Sequence, residues 1–84
     1  MTNAINEFVN HFIINSKNTI NELIVENTLT LADVQFHLGA SEGVELTLVK
    51  MNEISLEDVV NPYKNPLWNF QNWLDKIKIE NGWA

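Results

Sequence analysis

The chain has no cysteine and no arginine, three glycines, two prolines and only five lysines in 84 residues. Each absence excludes something. Without cysteine there can be no disulfide and no thiolate metal site. Without arginine, and with five lysines against 11 acidic residues, the chain cannot displace counterions from a phosphate backbone in the way nucleic-acid binding requires. No run approaches the roughly 20 apolar residues of a membrane span. The amino-terminal residues carry neither a basic segment nor a long apolar one, so no secretory signal is expected and a cytoplasmic location is. No repeat, low-complexity tract or Gly/Ser linker is present, which leaves residues 1–84 to be read as a single domain.

What remains is a globular composition with an acidic surplus. Hydrophobic residues make up 45% and charged residues 19%, and the formal net charge is −6. Such a chain should be repelled by DNA, RNA and anionic lipid and attracted to basic protein surfaces. Thirteen asparagines point to an A/T-rich gene. That drift should also raise lysine, which has stayed scarce, so the acidity reads as retained.

The patterning predicts a long first helix over 3–26. Ile5, Phe8, Val9, Phe12, Ile13, Ile20, Leu23 and Ile24 fall on one face at about 100° per residue, with Glu7, Asn10, His11 and Asn18 opposite. Thr19-x-x-Glu22 has capping-box form, so a break at 16–18 is the alternative.

Residues 28–51 carry two alternating runs, Val34–Leu38 and Val44–Leu48, joined by Gly39-Ala-Ser-Glu-Gly43. This reads as a β-hairpin with Leu38 opposite Val44, Phe36 opposite Leu46 and Val34 opposite Leu48. The rival reading starts from Thr30 as N-cap, Asp33 as an acidic third residue and Gly39 as a helix stop. With Ala40-Ser41 following, this stretch resembles the first helix and turn of a helix-turn-helix, although Glu42 and Glu45 suit a DNA-reading helix poorly. Ser55-x-x-Asp58 then opens a short helical turn closed by Pro62. Pro66 starts a last helix to about Ile79, with Leu67, Phe70, Trp73, Leu74 and Ile77 as its core face. The expected fold class is α+β: a long helix, a two-stranded antiparallel hairpin and two C-terminal helical segments.

No constellation of reactive residues stands out. Glu7 and His11 lie one helical turn apart but find no third ligand, and His37 is expected on the hairpin's polar side. Ser16, Ser41 and Ser55 lack a nucleophile-elbow context, and Gly39 and Gly43 lack the spacing and lysine of a phosphate loop. No enzyme activity, cofactor or metal is expected. The candidate contact residues are Asp33, Glu42 and Glu45, together with Tyr63, Trp68, Ile79 and Trp83. The last three fall opposite the core face of the final helix. They are either wrapped by residues 62–65 or the first helix, or left bare for a partner. The expected function is a small acidic protein-binding module that inhibits a larger basic, nucleic-acid-handling protein, of the anti-CRISPR, immunity-protein or antitoxin type, from a phage or prokaryote. A homodimeric structural or regulatory subunit, or a helix-turn-helix regulator, is the alternative.

Overall fold

The computed structural model describes residues 2–83. Three α-helices and one short 3₁₀ turn make up the architecture: α1 (Asn3–Val25), α2 (Leu31–Lys50), the 3₁₀ turn Leu56–Val60, and α3 (Trp68–Glu80). No strand occurs among the described residues. The expected α+β class is therefore corrected to all-α, and residues 28–51 hold no hairpin. The helix-turn-helix alternative needs a turn at Gly39–Ser41, where α2 runs on unbroken.

The physical reason is visible along α2. Its start is fixed by a full capping box. The Thr30 hydroxyl accepts from the Asp33 backbone N–H (3.2 Å), and an Asp33 carboxylate oxygen accepts from the Thr30 backbone N–H (2.9 Å). Its buried stripe is Val34, Ser41, Glu45 and Leu48, a helical spacing that hydropathy cannot reveal because two of the four are polar. Val34 to Leu38 and Val44 to Leu48 are i, i+4 pairs as well as alternating runs, so both periods fit the same residues. Neither Gly39 nor Gly43 takes the left-handed backbone that a glycine turn would use. They sit mid-helix, where each costs about 1 kcal/mol against alanine.

The stops are supplied mainly by asparagine. Asn27 (φ 59°), Asn52 (φ 58°) and Gly82 (φ 73°) each end a helix in the left-handed conformation. Each closes the same way: the next N–H reaches back to the fifth residue before it, as in Thr28 N–H to the Leu23 carbonyl (2.9 Å) and Glu53 N–H to the Leu48 carbonyl (2.9 Å).

α1 stays in one piece through Ser16–Asn18 because Thr19 does not cap. Its hydroxyl donates back to the Asn15 carbonyl at 3.0 Å. At 1.5 Å per residue its 23 residues span about 35 Å, close to the 39 Å long axis of the molecule. The two C-terminal segments form as expected. Ser55 and Asp58 make a capping box for the 3₁₀ turn, and Leu67, Phe70, Leu74 and Ile77 are buried.

The core has two lobes. One gathers Ile20, Val34, Phe70, Leu74 and Ile77; the other gathers Val9, Leu48, Ile54 and Leu67. Phe12 and Ile13 of α1 touch both lobes, and the Phe12 and Phe70 rings meet edge to face at 5.8 Å.

Candidate functional site

Two places concentrate polar side chains, and they differ in kind. The first is interior. Glu45 is 6% exposed and Asn65 4%, and Ser41 is fully buried. Asn65 Nδ2 donates to Glu45 Oε1 (2.8 Å) and to the Val59 carbonyl (2.8 Å), while its Oδ1 accepts from the Leu67 N–H (3.0 Å). Gln71 Nε2 donates to the same Glu45 oxygen and to Ser41 Oγ (3.0 Å), and the Ser41 hydroxyl donates to the Leu38 carbonyl (2.7 Å). Among the described residues, no buried side-chain nitrogen or oxygen lacks a partner. The cluster therefore ties α2 to the 59–67 segment and to α3, and it contains one carboxylate with no second titratable group beside it. The chemistry this arrangement supports is cohesion: the serine hydroxyl is spent on backbone.

The second place is the end of the molecule where α1 and α3 both terminate. Ile24, Asn27, Leu29, Ile77, Glu80 and Asn81 line a cleft of about 170 Å³ there. A separate open groove of about 360 Å³ lies along the last turns of α1, over Asn18, Asn21, Glu22, Val25 and Glu26. Val25 is 86% exposed. The electrostatics run against helix stability. α1 has no acid in its first turn and no base in its last, yet Glu22 and Glu26 stand at its carbonyl end. Glu80 sits at the carbonyl end of α3, where Lys78 offsets part of the charge. Glu22 and Glu26 thus flank an apolar-floored groove at the negative end of α1, while Glu80 lines a separate cleft.

The sequence-predicted contact residues are scattered by comparison. Asp33 is spent on the α2 cap. Thr30, through its backbone N–H and then its hydroxyl, holds that carboxyl below the usual value. Glu42 is exposed on α2, and Glu45 is in the interior clamp. Tyr63 is 96% exposed between the two prolines, and Ile79 is 66% exposed. Trp68 is half-buried, and Trp83 packs on the first core lobe, so these two and Ile79 do not form one bare strip. His37 lies on α2 with its ring edge-on to Phe36 at 5.3 Å. Desolvation pushes its pKa down, opposed by the charge of Asp33. Among the described residues, no group of three or more His, Cys, Asp or Glu could hold a metal ion, and no helix is long and apolar enough to cross a membrane.

The residues that sequence reasoning passed over are Glu22, Glu26 and Glu80. Their signal was the reversed charge at the end of the predicted first helix, which needs no structure to see. That α3 ends beside α1 is a tertiary fact. In comparison with protein-family models, curated proteins and solved structures, no match to this chain is found.

Proposed function

We propose that this protein is a non-enzymatic binding module that occupies a basic surface of a larger protein, in the manner of a small inhibitor. The observation that carries the reading is the uncompensated negative end of α1. Acids at a helix C-terminus each cost that helix some tenths of a kcal/mol, and Glu22 and Glu26 have no basic residue in the last turn to offset them. A lysine or arginine of a partner, seated in the groove over Val25, removes that penalty and gains two carboxylates as acceptors. The net charge of −6 adds long-range attraction.

The test is capture from host lysate on the immobilised protein at about 50 mM salt, with release at about 500 mM, where charge attraction is screened within a few ångströms. The wild type is expected to retain a basic protein. A Glu22→Gln/Glu26→Gln variant should lose it. A Glu7→Gln/Glu57→Gln variant changes net charge equally, at exposed positions outside both depressions, and should keep it. Equal capture by both variants, or retention that salt does not release, would remove the reading.

A further inference from the structure

One face of α2 is left bare by the fold, and its sequence is arranged to match itself. Ala32, Phe36, Gly39, Gly43, Leu46 and Lys50 are all exposed. At about 100° per residue they fall within about 40° of one direction, opposite Val34, Ser41, Glu45 and Leu48. Phe36 is 71% exposed and Leu46 56%. Nothing lies within 4 Å of where a Cβ would stand at Gly39 or Gly43, so packing within the chain gives no reason for glycine at either. Glycine mid-helix is a standing cost, and its use is close approach of another backbone.

The intervals between these six residues alternate four and three, and they read the same from either end. Alternating intervals of four and three are those of a two-helix seam. A two-fold interface requires a patch complementary to its own reverse. With the axis level with Ser41, Phe36 meets the partner's Leu46, Gly39 meets the partner's Gly43, and Ala32 meets the partner's Lys50. The small residues then lie at the centre and the large apolar ones on either side. Charge agrees at the ends: α2 has Asp33 in its first turn and Lys50 in its last, and antiparallel pairing brings these together. The hydroxyl of Thr47, beside the seam, is already tied to the Gly43 carbonyl at 2.9 Å and needs no water there. One feature opposes pairing. Glu42 lies beside the axis and faces the partner's Glu42.

We infer that the outer face of α2 is a homodimerisation surface on which a second copy of this chain packs antiparallel through the Phe36–Gly39–Gly43–Leu46 seam. A helix of this length is about 30 Å long and presents a strip about 10 Å wide, which gives roughly 600 Å² over both copies. That lies below the roughly 1,200 Å² of stable complexes, so the dimer is weak and reversible. It is independent of the acidic end of α1.

Sedimentation equilibrium from about 10 μM to about 1 mM spans the range where such an interface populates. The wild type should pass from monomer toward dimer. Gly39→Ala/Gly43→Ala introduces no clash within the chain, so it should raise the Tm while weakening association at least tenfold. Glu42→Gln should tighten association several-fold at low salt. Because the chain has no cysteine, Glu42→Cys should form a disulfide-linked dimer on mild oxidation and Lys50→Cys should not, since only antiparallel packing brings position 42 to its own copy and separates the two copies of position 50. A wild type that stays monomeric throughout, a glycine variant that associates as the wild type does, or Lys50→Cys cross-linking as readily as Glu42→Cys would each overturn the inference.

Discussion

Removing the Asn65 side chain should destabilise this protein more than any other single polar truncation. Asn65 makes three hydrogen bonds to three separate segments: to Glu45 on α2, to the Val59 carbonyl, and from the Leu67 N–H. The bond to the carboxylate is worth about 1.5–3 kcal/mol and each neutral bond about 1. Water entering the space left by Asn65→Ala recovers part of this, leaving a loss of about 3 kcal/mol. At about 0.05–0.15 kcal/mol per residue the whole domain has some 4–12 kcal/mol to lose. With a urea m-value of about 1 kcal/mol/M for a domain this small, the midpoint should fall by about 2–3 M. Unfolding followed by far-ultraviolet circular dichroism reads the shift. Asn65→Asp keeps the shape but sets a second carboxylate against Glu45. Its deficit relative to wild type should be larger than that of the alanine variant at pH 7 and should narrow as the pH falls toward 4. Combining Asn65→Ala with Glu45→Leu should cost less than the two single losses added, by about 1–2 kcal/mol. A loss below about 1 kcal/mol for Asn65→Ala, or strict additivity with Glu45→Leu, would refute the clamp.

Gly43→Ala alone should stabilise the monomer by about 0.5–1 kcal/mol, because the residue is mid-helix with open space at its Cβ position. A glycine turn in the same place would give the opposite sign in thermal melts. Thr30→Ala should cost about 1 kcal/mol through loss of the α2 cap, read as a lower urea midpoint. Stability should be level above about pH 7 and fall in two stages on acidification. His37, held below its ordinary 6.5 by desolvation, is neutral in the fold, so its contribution is complete above 6.5 and is lost as pH drops through its lowered value. Asp33 and Asp58, held below 3.8 by hydrogen bonds from the backbones of Thr30 and Ser55, contribute above 3.8 and lose that contribution below it. His37→Gln should remove the first stage only. Lys17 Nζ stands 5.6 Å from the centre of the Trp73 ring, so Lys17→Met should cost about 0.5–1 kcal/mol while keeping the apolar stem.

The sequence by itself determined the elements whose signals are local. The 3.6-residue stripe of α1, the Ser55–Asp58 box and the apolar face of α3 depend on neighbours a turn away; the box and the α3 face formed where the pattern put them, and the α1 helix did too, although Phe8 and Ile24 of its stripe stay exposed and Ser16 is buried instead. The same holds for net charge and for the absence of any thiol chemistry. Residues 28–51 were decided otherwise. Their local signals conflicted, with alternating runs and two glycines favouring a turn and the Thr30–Asp33 box favouring a helix. The conflict was settled at a distance, because burying Ser41 and Glu45 is tolerable only where Gln71 of α3 and Asn65 of the preceding loop supply donors. A polar residue reads as surface until its partner is known, and here those partners lie 20 to 30 positions further along the chain. The helix stops follow a related logic. Asn27 and Asn52 stop helices as glycine commonly does, whereas Gly39 and Gly43 stop nothing. Which of them bends the chain follows from what packs against the turn on either side.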